Sequence, residues 1–265
     1  MGFGTEGFLG TDAQRLADEQ RSTFADLFDY AFECSATAMK IATLPLPTGN
    51  KGISLGVMFC RCLAQYQGAI ILAERGLPIE SMVLTRALYE TNLVLGALAA
   101  NAVTPEELVD SDFGNRTKIG AVLLPIAKKH SPTKHHAKLA AFIANNTTAK
   151  PLSFHELAQR SGMQMLYDGL YRHLSHFAAH PSITAAEGYF VPIAGGEDRV
   201  IFRPLTNGTP KAILSACSGI MVACAAFEKA ARTNLEVNAE IAMRLDREEI
   251  LYEKYRPWDI KGEKD

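Results

Sequence analysis

The sequence predicts an all-α protein, a multi-helix bundle with one small late β-hairpin. Three observations carry that expectation. Apolar residues recur at helical spacing along most of the chain. Capping residues and breakers fall where those patterns begin and end. Only residues 189–204 read as strand.

Taken in order, Thr11 can cap a helix that runs through Phe24, Leu27, Phe28 and Ala31 toward Lys40. The preceding Gly2-Phe-Gly-Thr-Glu-Gly reads as a flexible terminus. Leu44-Pro-Leu-Pro-Thr-Gly-Asn-Lys-Gly breaks the chain, and an apolar helix is expected over 53–74, with Gly76 as its C-cap glycine. Pro78 opens the next, over 78–100. Thr104-Pro-Glu-Glu supplies a cap, a first-turn proline and a capping-box carboxylate. Ser131-Pro-Thr-Lys starts a further helix, Ser153-Phe-His-Glu caps a short one, and another is expected over 163–180. The hairpin turns at Gly195-Gly196. Thr209-Pro210 begins a long helix whose small residues Gly219, Ala223, Ala226 and Ala230 admit a close helix neighbour, internal or in a second subunit. The simplest organisation is one domain, 1–265. Within it 1–50 form an N-terminal helix and proline-rich connection, 52–232 the core, and 244–265 a charged, partly helical tail.

Apolar residues make up 48% and charged residues 21%, a globular balance, and the net charge of −2 argues against coating nucleic acid through bulk charge. Five cysteines in apolar surroundings read as buried, reduced thiols, and the N-terminus lacks the basic and apolar regions of a secretory signal. The uncharged run 212–227 is shorter than a bilayer span. A cytoplasmic protein without a membrane partner is expected.

The helix over 163–180 is the most informative stretch. At about 100° per residue, Leu166, Tyr167, Leu170, Leu174, Phe177 and Ala178 fall on one face. Asp168, Tyr171, Arg172, Ser175, His176 and His180 fall on the other, with His173 at the boundary. That polar face has no Lys and no Glu, and it can donate, accept and titrate near neutral pH. The helix over 78–100 is apolar nearly all round, yet carries Arg86 and Glu90 one turn apart. Charges in such a place need partners, and the Tyr171 or Ser175 hydroxyl or His180 could supply them.

Arg-x-x-x-Glu followed by Tyr-x-x-x-Ser-x-x-x-x-His, here Arg86, Glu90, Tyr171, Ser175 and His180, resembles a family of bacterial all-helical proteins catalogued as a domain of unknown function. The likeness extends over about 52–232 and implies no activity. A looser resemblance is to the HEPN superfamily, helical domains that often dimerise and often cut RNA. Their Arg and His are separated by four to six residues. Here three residues separate Arg172 from His176 and seven separate it from His180.

Three readings follow. In the first, the site binds a nucleotide or RNA phosphate and acts as a nuclease: His176 or His180 moves protons, Arg172 stabilises developing charge, and Tyr171 and Ser175 complete the catalytic set. Arg86, Glu90 and Asp168 would then bind the ligand. Lys128, Lys129, Lys134 and Lys138, interleaved with His130, His135 and His136, would steer RNA or simply form a solvated connection. In the second, His176-x-x-x-His180 begins a metal site, although the ligand set is incomplete and no metal is assigned. In the third, the polar group fixes helix register in a non-enzymatic module that dimerises through the small-residue helix. No phosphate loop, nucleophile elbow or dinucleotide fingerprint is present, and no cofactor is implied.

Overall fold

The computed structural model describes residues 3–130, 135–176, 187–191, 199–231 and 235–257. Its helices are α1 (Phe3–Glu6), α2 (Thr11–Thr23), α3 (Ala25–Ala42), α4 (Gly49–Glu74), α5 (Pro78–Ala99), α6 (Pro105–His130), α7 (His135–Asn145) and α8 (Phe154–Ser161). They continue with α9 over residues 166–176, α10 (Thr209–Ala231) and α11 (Leu235–Tyr255). Two short strands, β1 (Phe190–Val191) and β2 (Arg199–Val200), pair antiparallel with Phe190 opposite Val200. The fold is all-α with one small strand pair; the Gly195-Gly196 turn lies outside the described residues.

The boundaries follow local chemistry. Thr104 and Glu107 form a reciprocal capping box at the start of α6, with bonds of 2.8 and 3.2 Å. The Ser153 hydroxyl caps α8 by accepting from the Glu156 amide at 3.1 Å. Gly76 closes α4 at φ 73°, a left-handed conformation that suits glycine.

The helix expected from Thr11 toward Lys40 is broken at Phe24, where ψ turns to 43°. The Thr23 hydroxyl back-bonds the Glu19 carbonyl at 2.8 Å, which favours a bend, and the Phe24 ring meets Tyr255 edge-on. The N-terminal segment, expected to be flexible, is ordered. Phe3 and Phe8 pack with Phe202 at centroid separations of 4.9–6.0 Å, and the Phe3 amide donates to Asp12 at 2.7 Å. The ring contacts, with Phe3 and Phe8 half-buried and Phe202 exposed, offset part of the entropy of ordering these few residues.

The core lies among α3, α4, α5 and α10. Polar groups inside it are tied across helices. Tyr66 donates to the Ala31 carbonyl at 2.6 Å, Tyr89 to Ser215 at 3.1 Å, and Asn92 to the Gly219 carbonyl at 2.7 Å. A Cβ on Gly219 would meet Leu88 of α5 at 2.7 Å, so at Gly219 the small-residue stripe receives α5 inside the chain. Both α4 and α10 are long and apolar enough to cross a membrane by length and composition; here they are core helices. Four cysteines are buried as expected, but Cys60 is exposed because α4 turns it away from Cys62.

Of the segment expected as a charged, partly helical tail, residues 244–255 form the second half of α11 and dock on α3, while 258–265 lie outside the described residues. Glu33 of α3 binds Arg244 at 2.7 Å and Arg247 at 2.5 Å, while Asp26 accepts from Lys254 and Tyr255, each at 2.6 Å. Between these pairs Glu248 is 6% exposed and accepts hydrogen bonds from Tyr30 and Ser218. Burial pushes its carboxyl above the ordinary range.

Candidate functional site

α9 is not a regular helix. Leu166–Tyr171 is π-helical, with the Arg172 amide reaching the Tyr167 carbonyl five residues back, and a second π segment covers 175–176. Such insertions are uncommon and concentrate at functional sites. A π turn advances less than 100° per residue, so it turns Tyr171 and Ser175 toward α5, half-buried, beside the buried Leu174.

There they meet the two charges of α5. Arg86 donates from Nε to the Ser175 hydroxyl at 2.8 Å and from Nη2 to the Tyr171 hydroxyl at 3.3 Å. Nη2 also lies 3.2 Å from Glu90 Oε1, which accepts from the Tyr171 hydroxyl at 3.3 Å. The Arg86 and Glu90 side chains remain 26% and 27% exposed. The guanidinium stands 5.4 Å from the Tyr171 ring centroid, a cation–π contact. Tyr171 in turn stacks on Tyr167 at 5.1 Å, with Phe154 and His155 of α8 against the pair at 5.8 and 5.4 Å. The result is a fixed cation under a small aromatic shelf.

The remaining predicted residues are dispersed. Asp168, Arg172 and His176 are exposed rather than joined to Arg86, because the π turn that brings Tyr171 inward leaves them facing solvent. Asp168 pairs with Arg172 at 3.4 Å, and hydrogen bonds from Gln164 and Arg172 hold its carboxyl below the ordinary range. His173 is held below its usual value by burial, with Lys211 of α10 and His176 adding positive charge beside it. Burial likewise lowers the Lys211 ammonium. His180 lies outside the described residues, and the His176–His180 spacing with it. Among the described residues, no group of three or more His, Cys, Asp or Glu side chains is disposed to hold a metal ion.

Sequence reasoning missed the shelf and Lys211. Tyr167 was assigned to the core face, although an aromatic four residues before Tyr171 would stack on it along a helix. Lys211 is the one charged residue between 209 and 227 of an otherwise apolar helix, a detectable anomaly.

A family described as "Family of unknown function (DUF5677)" matches residues 53–197. The matched segment contains Arg86, Glu90, Tyr171 and Ser175 and stops short of the expected limit near 232, leaving α10 and α11 beyond it. No curated protein and no solved structure matches the chain.

Proposed function

The chain belongs to the family of unknown function DUF5677, a membership that carries no activity, and from the site itself we propose that it binds a phosphate-bearing ligand, a nucleotide or short RNA. One observation supports this reading most. The Arg86 guanidinium is oriented by Ser175, Tyr171 and Glu90 while the side chain as a whole stays 26% exposed, so an anionic oxygen can approach it from solvent. The Tyr167–Tyr171 shelf offers a face on which a base can stack. Arg172, His173, His176 and Lys211 add positive or titratable groups along the same helix and its neighbour. A nuclease-like step would draw its proton carrier from His173 or His176.

The test is fluorescence anisotropy with a labelled single-stranded RNA, and calorimetry with mononucleotides. Wild type should bind at least one of them. Arg86→Met and Tyr167→Ala should each weaken binding by about tenfold, equivalent to about 1.4 kcal/mol. Absence of binding to all of them, or binding equal in the variants, would reject the proposal.

A second reading rests on the same bonds. Ser175 and Tyr171 already occupy Arg86, as a network fixing the register of α9 on α5 would require. It predicts loss of stability without any ligand response.

A further inference from the structure

The second half of α6 leaves the body of the protein. Its first half is anchored: Ser111 accepts from the Leu152 amide at 2.8 Å, and Glu107 pairs with Arg160 at 3.0 Å. Beyond residue 115 its packing is with α7, where Gly120 lets Leu139 and Ile143 approach within 3.1–3.4 Å of the position a Cβ would take. On the outward side Ile119, Val122, Leu123 and Ile126 are each at least half exposed. Their i, i+3, i+4, i+7 spacing makes one aliphatic stripe. At about 100° per residue, Lys118 and Lys129 border one edge of that stripe and Arg116 and His130 the other.

The charge of this segment is one-sided. Between Asp112 and Glu156 there is no Asp or Glu, while the same stretch carries seven Lys or Arg and four His, in a chain of net charge −2. An apolar stripe bordered by cations on a projecting helix pair is the chemistry of a helix lying in an anionic lipid interface: the aliphatic side chains enter the acyl boundary, and the long cationic side chains reach headgroup phosphates. We propose that the α6–α7 hairpin docks on an anionic phospholipid surface. The hydropathy that gave no reason to expect a membrane partner concerns spanning, and lying on a surface needs far less apolar length. Charge decides against the other occupants. A second copy packed antiparallel along the stripe would set Lys129 against Arg116 and Lys118, like against like. Nucleic acid would suit the charge, but aliphatic side chains give bases nothing to stack on.

The full chain should float with phosphatidylcholine vesicles containing about 30 mol% phosphatidylserine, not with phosphatidylcholine alone, and release as salt rises. Val122→Asp/Leu123→Asp and Lys118→Glu/Lys129→Glu should each weaken vesicle binding by about tenfold or more while the helical circular-dichroism signal and melting temperature hold. Both pairs are exposed, so folding should survive either change. Failure of the wild type to bind anionic vesicles overturns the proposal, as does binding that neither variant reduces. A dimer in light scattering that Val122→Asp/Leu123→Asp dissociates, without vesicle binding, overturns it in favour of a second copy. RNA binding lost in Lys118→Glu/Lys129→Glu, again without vesicle binding, overturns it in favour of nucleic acid.

Discussion

Replacing Arg86 by Met keeps most of the side-chain volume and removes one charge. It deletes the 2.8 Å bond to Ser175 and leaves Glu90 with the Tyr171 hydroxyl at 3.3 Å. A charge-assisted hydrogen bond is worth about 1.5–3 kcal/mol. Stranding a buried charge costs about 3–5 kcal/mol, but Glu90 is 27% exposed and water screens part of that. Arg86→Met should therefore destabilise the chain by about 2–3 kcal/mol, a fall in melting temperature of about 5–10 °C for this size. Arg86→Met/Glu90→Leu removes the stranded charge as well. It should recover about 1 kcal/mol relative to the sum of the single changes. Urea unfolding followed by far-ultraviolet circular dichroism, with the slope checked for constancy, measures Arg86→Met, Glu90→Leu and the double variant. A loss under about 0.5 kcal/mol in Arg86→Met, or strict additivity in the double variant, would refute the coupled network.

Glu248 holds its proton more tightly folded than unfolded. Its stabilising contribution is therefore full below its unfolded value near 4.5 and is lost as pH rises through the raised folded value. Glu248→Gln should flatten that part of a melting-temperature profile measured between about pH 4 and pH 8. Ellman's reagent should label Cys60 quickly and the four buried thiols only on unfolding, and Cys60→Ser should abolish the fast phase. Gly76→Ala, at φ 73° and with Pro204 2.7 Å from the new Cβ, should cost about 2 kcal/mol or more in urea unfolding.

What was legible in the sequence was local. Thr104 with Glu107, Ser153 with Glu156, Pro78 and Gly76 each mark a helix end through groups within a few residues, and each does so in the fold. The association of Arg86 and Glu90 with Tyr171 and Ser175 was also legible, because two charges on an apolar helix demand partners and few candidates exist. The departures came from longer-range competition. A wheel drawn at one fixed angle could not foresee the π turn, so Asp168, Arg172 and His176 were assigned to a face they do not share with Tyr171. The docking of α11 was illegible because its anchors, Asp26 and Glu33, lie more than 200 residues away. The ordered N-terminus escaped for a similar reason: its third ring, Phe202, comes from beyond the hairpin.

The docking of α11 also sets a timetable. During synthesis α3 emerges early, with Leu27, Phe28, Ala31 and Cys34 awaiting helices made last. The Tyr30–Glu248 bond closes a separation of 218 residues. Loop-closure entropy for such a contact must be met before the contact gives anything back. A ribosome-bound chain lacking α10 and α11 presents an apolar helix face with no internal cover, the kind of nascent surface that chaperones engage. A chain stopped about two or three turns before the end of α11 would keep most of the helices and lose the Lys254 and Tyr255 contacts with Asp26.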